Sequence, residues 1–238
     1  MYKYDLHALT SDFTYSGRSS ISAEETVVAH IEAGYSGIVL TNPWGNKVFS
    51  DEQHAGKSMR TLGEEFISAY EKLRSVAGND LVVLLGAEMS VPSASGEFLI
   101  YGLTPKFILE YDRTISDAMW FTDFITNLHS SGDILVYQAV PFANGSVIID
   151  LNGKDKHPLR TIDGLEVYNH CKADVCSNPF AQARAEYYGV GGISGSDLSH
   201  SGENVGGGII TKSPILSNDD LLTVLKSRDY SICKGEEV

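Results

Sequence analysis

Histidine and carboxylate side chains stand at the ends of several short apolar runs, and they are the side chains best suited to hold a metal ion. His7 closes the first run, in YKYDLHAL, and Glu88 closes a later one, in LVVLLGAE. Asp197 and His200 follow in SGSDLSH. Imidazole and carboxylate groups together bind zinc, manganese or iron, and such ions lower the pKa of a bound water so that it can attack an ester. These residue types therefore indicate a metal site, provided that the fold brings them together.

The elements that would position these side chains alternate along the chain. Seven short apolar runs have the length of buried parallel strands: YKYDLH, SGIVLT, LVVLLGAE, FLIYGL, DILVYQAV, DGLEVYN and VGGISGSD. Helices are predicted between several of them, over about 61–76, 115–130, 178–188 and 218–227. This alternation predicts a βα-repeat fold, a barrel or an open sheet, with its chemistry at the carboxyl ends of the strands. No low-complexity linker interrupts the pattern, which predicts one domain over residues 1–238.

A further helix is predicted in SAEETVVAHIEAG. Ser22 is its expected N-cap, Glu25 is the expected partner in a capping box, and Gly34 is expected to end it. Its apolar face is expected to consist of Val27, Val28 and Ile31.

The composition argues against several classes of function. The 238 residues, 42% of them hydrophobic, can bury a large core without help from a metal or a disulfide. A net charge of -13 would repel a phosphate backbone, so nucleic acid is not an expected partner. No apolar run approaches the ~18 residues of a membrane span. The three cysteines, an odd number without a secretory signal, are expected to be reduced thiols in the cytoplasm.

At the strand ends the sequence resembles the PHP (polymerase and histidinol phosphatase) domains, a family of distorted seven-stranded βα barrels. YDLHALT is similar to the family's D-L-H-x-H-T opening, GYSGIVLTNPW to its G-hydrophobic-T-D-H element, and VLLGAEMS to its G-x-E strand end. FLIYGLT, VYQAVPFANG, DGLEVYN and SGSDLSHSGENVGGG are similar to the later motifs in order and spacing. The resemblance covers nearly the whole chain and implies a distorted (β/α)7 TIM-like barrel.

In active members of the family these motifs gather two or three ions of zinc, manganese or iron that hydrolyse phosphate esters. This chain departs from the pattern at most ligand positions. The departures are Leu9 for the second histidine of D-L-H-x-H, Asn42 and Pro43 for the D-H pair, Val140 for the histidine of A-H-P-F, and Ser199 for the histidine of G-S-D-x-H. Leucine and valine side chains offer no lone pair, so these changes delete coordination outright. Ala143 stands where some members carry an arginine that can clamp phosphate.

His7, Glu88 and Asp197 survive, and the resemblance implies that they belong to a single metal position. His200 lies one residue beyond the expected histidine, and such a slip turns a side chain to the opposite face of a strand unless a loop absorbs it. A weak site for one divalent ion (zinc, manganese or iron) is therefore expected, with these four residues as candidate ligands. The same bowl is expected to be lined by Leu9, Asn42, Pro43, Val140 and Ser199.

Other interpretations stay open. Glu88 and Asp197 could instead accept hydrogen bonds from backbone N–H groups at the end of the barrel. NHCKADVC offers His170, Cys171 and Cys176 as zinc ligands, but no second Cys or His pair lies at the usual spacing. GENVGGG has the composition of an anion cradle, and equally that of a tight turn with close packing.

Several histidines and aromatic residues have no assigned chemistry. Solvated positions are expected for His30, His54, His129 and His157. Aromatic residues in or beside the site loops are expected either to pack the core or to fill space that metals would otherwise occupy; they are Tyr15, Trp44, Tyr101 and Tyr137.

Two functions of different class follow. The favoured one is a PHP barrel without hydrolytic chemistry, a binding or regulatory module on a retired enzyme scaffold, because ligands have changed together in four of the motifs. The alternative is a divergent phosphoesterase that uses one metal ion on a small phosphorylated molecule. A hydrolase of non-phosphate substrates is a third possibility. The sequence names no ligand, protein partner or oligomeric state.

Overall fold

The computed structural model describes residues 1–90, 96–111, 121–142, 162–171 and 177–235. The strands in these residues are β1 Tyr2–Ala8, β2 Gly37–Leu40, β3 Pro43–Gly45, β4 Val82–Ser90, β5 Phe98–Tyr101, β6 Leu135–Gln138, β7 Gly164–Asn169, β8 Gly191–Gly195, β9 Gly207–Thr211 and β10 Ser231–Lys234. The α-helices are α1 Ala23–Glu32, α2 Asn46–Phe49, α3 Met59–Ala77, α4 Pro105–Leu109, α5 Phe121–Ser131, α6 Ser177–Tyr188 and α7 Asn218–Ser227.

The strands form one sheet that curls into a nearly closed barrel. Neighbouring strands are hydrogen bonded in the order β10-β9-β1-β2-β4-β5-β6-β7-β8, and β3 pairs with β4. The ring closes where the chain beyond β8 runs past β1: Ala8 bridges Leu198, and the Asp197 N–H donates to the His7 carbonyl at 2.8 Å. The predicted distorted barrel is confirmed. Its ring is formed by β1, β2, β4, β5, β6, β7 and β8, which are the apolar runs of the sequence.

One strand of the ring runs against the others. β5 pairs antiparallel with both β4 and β6, whereas β1, β2 and β4 pair parallel, as do β6, β7 and β8. The prediction of a parallel strand at FLIYGL was therefore wrong. The physical reason lies in the connection, since the stretch between Ser90 and Phe98 is too short for the crossover of a dozen or more residues that parallel neighbours need.

Strands β9 and β10, which the sequence did not predict, extend the sheet beyond β1. β9 is antiparallel to β1, and β10 is antiparallel to β9. The glycines of GENVGGG permit this packing, because a Cβ on Gly206 would overlap the His170 ring and one on Gly207 would overlap the Gly195 carbonyl. Close packing, the second interpretation of this run, therefore accounts for its glycines.

Helix α1 has the predicted ends but not the predicted face. The Glu25 N–H donates to Ser22 Oγ at 3.1 Å and the Ser22 N–H donates to the Glu25 carboxylate at 2.9 Å, so the capping box is confirmed. Val28 and Ile31, however, are 53% and 41% exposed. The expected apolar face is confirmed for Val27, which is buried, and was wrong for Val28 and Ile31, because the helical spacing turns His30 toward the barrel instead.

His30 forms a buried pair with Asp5 beneath the predicted site. Its Nε2 lies 2.9 Å from Asp5 Oδ2, and its Nδ1 lies 2.7 Å from the Thr26 carbonyl oxygen. Asp5 also accepts hydrogen bonds from the N–H groups of His7 and Ser196, each at 2.9 Å. The solvated position expected for His30 was wrong. The carboxylate of Asp5 is fully buried and needs hydrogen-bond donors, and His30 is buried with it as one of them.

Of the other histidines without assigned chemistry, one described residue is buried and one is exposed. His54 is buried, not solvated, because its Nε2–H donates to the Thr14 carbonyl at 2.8 Å and so fixes the loop after β1. His129 is exposed, as expected, with Nε2 3.0 Å from Asp163. His157 lies outside the described residues.

Three of the predicted helices are confirmed to within two residues at each end: α3, α6 and α7. Helix α5 corresponds to the second half of the helix predicted over 115–130, and residues 112–120 lie outside the described part of the chain. None of the described helices has the length and apolar character that a membrane span requires.

The aromatic residues near the site loops pack the core. Trp44 is fully buried and meets Phe49 and Phe66 edge to face, at centroid distances of 5.1 and 5.2 Å. Tyr101 is also fully buried, and its hydroxyl donates to the Leu6 carbonyl at 2.9 Å. These contacts fill the space beside the strand ends and hold them in position.

We expect Gly195→Ala to destabilise the protein by about 3 kcal/mol, because the added Cβ would overlap the backbone and Cβ of His7 where the barrel closes. The matched control is Gly132→Ala, whose Cβ meets only Ile134 Cγ1 at 4.0 Å. It should change the free energy of unfolding by less than about 1 kcal/mol. Urea denaturation of both variants is the measurement, and equal effects would mean that the close approach of β8 to β1 is wrong.

Candidate functional site

Strand ends bring charged side chains together at the carboxyl edge of the barrel. His7 lies on β1, Glu88 on β4 and Glu166 on β7, and Asp197 follows β8. Each of the four is at most 2% exposed. Parallel strands present their carboxyl ends at one edge, so side chains far apart in the sequence meet there.

The His7 ring lies among three carboxylates. Its Nδ1 is 2.9 Å from Glu166 Oε1, and its Nε2 is 3.3 Å from Glu88 Oε1 and 3.6 Å from Asp197 Oδ1. Within the described residues, Nε2 makes no hydrogen bond of acceptable geometry. Burial alone would lower the pKa of His7, but the carboxylates of Glu166 and Asp197 outweigh burial and raise the pKa well above its ordinary value.

The guanidinium of Arg18 lies between Glu88 and Asp197. Its Nη2 donates to Asp197 Oδ1 at 2.7 Å and to the two Glu88 oxygens at 3.0 and 3.1 Å, and its Nε donates to Glu88 Oε2 at 3.2 Å. The Arg18 side chain is only 12% exposed. One protein cation therefore holds both carboxylates through charge-assisted hydrogen bonds.

The charges in this cluster stabilise one another. Burial alone would raise the pKa of Glu88, but the Arg18 guanidinium and the His7 imidazole lower it to about 2. Burial would likewise lower the pKa of Arg18, and Glu88 and Asp197 instead raise it well above its ordinary value. Both shifts favour the ionised forms, so the Glu88 carboxylate stays negative and the Arg18 guanidinium positive.

Arg18 belongs to residues 11–20, which follow β1 and are called here the arginine segment. Ser16 binds Asp51 twice, through its N–H at 3.0 Å and its hydroxyl at 3.1 Å. The far end is held by the Ser20 N–H, which donates to the Ser199 carbonyl at 2.8 Å. Near its start, Phe13 is 2% exposed and packs in the core. The segment is thus anchored on both sides of Arg18.

A second charged pair lies beside the cluster. Lys47 Nζ donates to Glu97 Oε1 at 2.6 Å and lies 5.7 Å from the centre of the Tyr15 ring. Burial raises the pKa of Glu97, and the nearby Glu88 raises it further, against the opposing effect of Lys47.

Two residues of the site have a positive φ, a backbone conformation that glycine adopts easily and other residues adopt only at a cost in free energy. Asp197 has φ 55° and Val140 has φ 37°. A β-branched residue such as valine is rarely found with positive φ. The Val140 N–H donates to Glu166 Oε2 at 2.9 Å, and Asn169 Nδ2 donates to the same oxygen at 3.1 Å, so Glu166 helps to hold this backbone in place. Strain of this kind is typical of functional sites.

Comparisons with known proteins place the fold. No family model matches the chain, and no curated protein matches it. Among solved structures, a two-domain protein of Bacteroides vulgatus containing a predicted PHP-like metal-dependent phosphoesterase superposes with a TM-score of 0.66 at 15% identity. The match covers 98% of this chain and 65% of the other, so the chain spans about two thirds of that protein.

A second solved structure agrees. A protein of Bifidobacterium adolescentis proposed to be a metal-dependent phosphoesterase superposes with a TM-score of 0.51 at 13% identity, over 94% of this chain and 95% of the other. The fold is that of the PHP-like proteins. Both identities are low, so the likeness is one of fold.

Within this PHP-like fold the structure brings three of the four candidate ligands together. His7, Glu88 and Asp197 converge at the distances given above. His200 does not join them: it is exposed, its Nδ1 lies 3.0 Å from Ser20 Oγ, and its N–H donates to Glu203 at 2.8 Å. The loop therefore does not compensate for the extra residue before His200, and the His200 side chain does not join the other three candidates.

The five departures from the family pattern make local contacts. The Asn42 side chain accepts from the Thr10 N–H at 2.8 Å and donates to Thr10 Oγ1 at 3.2 Å. Pro43 lies opposite Glu88 in the pairing of β3 with β4. Leu9 is fully buried, and the Ser199 N–H donates to Glu203 at 2.9 Å. Val140 is described above, and Ala143 lies outside the described residues.

The residues present do not fit a divalent ion while Arg18 is in place. His7 Nε2, Glu88 Oε1 and Asp197 Oδ1 point toward one another, but Arg18 Nη2 already donates to both of those oxygens. A cation there would face the guanidinium at close range, which like charges resist. Within the described residues, no group of three or more His, Cys, Asp or Glu side chains is arranged to hold a metal ion. That finding includes His170 and Cys171, while Cys176 lies outside.

Sequence reasoning missed Arg18 and Glu166. Arg18 is the only arginine in the first 59 residues, and it lies eight residues after the end of the motif that contains His7. Glu166 is a charged residue in the apolar strand GLEVYN, and a buried charge in such a strand needs a partner. These were the available signals, although neither identifies the partner.

We expect Arg18→Met to cost roughly 3–5 kcal/mol of unfolding free energy, because it leaves two buried carboxylates without their cation. The matched control is Arg60→Met on α3, whose pair with Glu64 is exposed and should contribute less than about 1 kcal/mol. Urea unfolding measures both. Similar losses in the two variants would show that Arg18 does not hold the cluster.

Acidification should shrink the stability difference between wild type and Arg18→Met. The pKa of Glu88 in the folded protein is about 2, below its ordinary value of 4.5. The resulting stabilisation is fully present above the unfolded-state pKa and is lost as the pH falls through the folded-state pKa. Urea titrations from about pH 6 down to about pH 3 measure this difference. A difference that stays constant or grows over that range would contradict the assignment.

Proposed function

We propose that the chain is a divergent member of the PHP family, and that it is a phosphoesterase-like protein without hydrolytic activity. It would act as a binding or regulatory module, a pseudoenzyme on a retired enzyme scaffold. Support comes from seven motifs in family order and from a fold shared with two PHP-like or phosphoesterase-like structures. Location in the cytoplasm, expected from the cysteines, is part of this proposal.

The observation that carries the proposal is the position of Arg18. Its guanidinium binds both Glu88 and Asp197, the carboxylates that the family pattern assigns to a metal ion. A metal ion hydrolyses esters by lowering the pKa of a bound water and by neutralising the phosphoryl group. A guanidinium shares the positive charge but coordinates no water, and its five donors are directed at acceptors. The cluster is therefore stable without providing a nucleophile.

The substituted positions support the same conclusion. Leu9 and Val140 replace two histidines with side chains that have no lone pair. The Asn42 amide is committed to Thr10, so it is not free to turn toward an ion. A second or third metal position therefore has no ligands at these places.

The charge of the site also disfavours a phosphate ligand. Glu88, Glu166 and Asp197 are set against the charges of His7 and Arg18. A phosphate dianion would have to approach buried carboxylates whose cations are already paired. The ligand of the proposed module is accordingly a small molecule or protein that brings no phosphate charge into this cluster.

A second function has one observation in its favour. Glu166 holds His7 Nδ1 at 2.9 Å, and a carboxylate on the far nitrogen is the usual second partner of a metal-binding histidine. His7 Nε2 faces Glu88 and Asp197, as a ligand nitrogen would. A divergent phosphoesterase with one divalent ion and a small phosphorylated substrate is thus the alternative, and it requires Arg18 to leave.

We expect purified wild-type protein without a histidine tag to contain far less than one metal ion per chain. Its hydrolysis of phosphomonoesters with added Mn²⁺ or Zn²⁺ should lie several orders of magnitude below that of an intact family member, since a metal clamp contributes several kcal/mol to the transition state. Elemental analysis and p-nitrophenyl phosphate assays are the measurements. The control is His7→Ala, which should leave any trace rate unchanged. Robust turnover abolished by His7→Ala, together with stoichiometric metal, would refute the proposal.

A further inference from the structure

A groove lies beside helix α1, and none of the residues of the Arg18 cluster lines it. Its volume is about 790 Å³. One wall is the outer face of α1, with Glu24, Val28 and Glu32, and the other wall is formed by residues 202–206. The groove is therefore a surface feature separate from the site at the strand ends.

Carboxylates dominate the charge of this groove. They are Glu24, Glu25, Glu32 and Glu203. Within the described residues, their only ion pair is a long one, between Glu24 and Lys72 at 3.9 Å, and Lys72 is already bound to Asp12 at 2.6 Å. Lys3 is the only Lys or Arg in the lining, and its ammonium lies 4.0 Å from the centre of the Tyr35 ring. The groove thus carries negative charge that the described residues leave largely unneutralised.

An exposed apolar side chain lies between two of these carboxylates. Glu24, Val28 and Glu32 follow one another at intervals of four residues, so they lie on one side of α1, with a rise of about 6 Å from each to the next. Val28 is 53% exposed, and Ile31, which is 41% exposed, lies one helical turn further on. Contiguous apolar side chains with a charged rim are typical of interaction surfaces.

The lining favours a segment of protein over other occupants. Pockets for small molecules are lined mainly by apolar and aromatic side chains, whereas the described residues that line this groove include no Phe, Tyr or Trp. A second copy of the chain has the same net charge of -13 and would be repelled, as would nucleic acid. A basic segment of a partner protein has the complementary charge.

The spacing along α1 fits an extended segment. In an extended chain every second side chain points to the same face, at intervals of about 6.6 Å, which is close to the rise between the three residues of the wall. We propose that the groove docks an extended basic segment of a partner protein, in which an apolar side chain lies between two Lys or Arg residues at alternate positions. The apolar side chain contacts Val28, and the two cations meet Glu24 and Glu32. This docking does not depend on the proposed loss of hydrolysis, since the groove lies outside the Arg18 cluster.

The test is peptide binding measured by fluorescence anisotropy. A labelled peptide with the core Lys-Ser-Leu-Ser-Lys is compared with one of the same composition and charge whose core is Lys-Lys-Ser-Ser-Leu. Wild type should bind the first with a Kd on the order of 0.1 mM and the second roughly 10-fold more weakly, because only the first matches the order of the wall. Binding should weaken between about 50 mM and about 500 mM NaCl, since exposed charges are screened. Absence of binding, or equal affinity for the two peptides, would overturn the proposal.

Charge reversal locates the bound peptide. Glu24→Lys combined with Glu32→Lys should weaken binding roughly 10-fold or more, because attraction becomes repulsion. The matched control is Glu64→Lys combined with Glu71→Lys, which makes the same change in net charge on the exposed face of α3 and should change the Kd less than about 3-fold. Equal weakening in the two double variants would show a general attraction to an acidic protein and would overturn the proposal.

Val28→Ser tests the apolar contact without a change in charge. It should weaken binding of the first peptide roughly 5-fold, and an unchanged Kd would contradict the proposed contact. Thermal melts establish that each variant is folded, and Val28→Ser decides the matter if the double reversal in the groove does not fold.

Two further measurements address other occupants. Spermine, a flexible polyamine, should displace the first peptide only at concentrations far above those of the unlabelled peptide. Displacement at equal concentration would make the groove a small-molecule site and overturn the proposal. In analytical ultracentrifugation, Val28→Ser should leave the oligomeric state of the protein unchanged. A wild-type dimer that Val28→Ser dissociates would make a second copy the occupant and would likewise overturn it.

Discussion

The contact of Arg18 with Glu88 and Asp197 is the interaction on which the carboxyl end of this barrel depends. The barrel carries carboxylates inward on separate strands, and their burial would be unfavourable without a cation among them. In the family that the sequence resembles, metal ions provide that charge. Here the chain provides it from the loop after β1. The burial of these carboxylates is therefore balanced by a cation that belongs to the chain itself.

The surroundings of the cluster keep features that a purely structural ion pair would not require. Glu166 orients the His7 ring. It also accepts a hydrogen bond from the Val140 N–H, and Val140 has a positive φ that valine rarely adopts. Such strain is expected where a fold has been shaped around chemistry. The buried Asp5–His30 pair links β1 to α1. A fully hydrogen-bonded polar pair of this kind in the core favours one relative position of the two elements.

Local patterns predicted most of the frame. The seven strands of the ring, the capping box of α1 and the helices α3, α6 and α7 follow from apolar periodicity and cap residues, which act over a few neighbours. The errors occur where the apolar periodicity alone does not decide the structure. Val28 and Ile31 are exposed because His30 is drawn toward Asp5, and β5 is antiparallel because the connection before it is short.

The sequence by itself determined the βα barrel and the strand ends that carry His7, Glu88 and Asp197. Only the tertiary structure decided what lies between those carboxylates. Arg18 is 70 residues from Glu88 and 179 from Asp197 along the chain, and its position depends on a loop whose course is set by Asp51, His54 and Ser199. Loop conformation follows from packing and long-range hydrogen bonds, which no local pattern records, and for that reason the cation of this site could not be read from its motif.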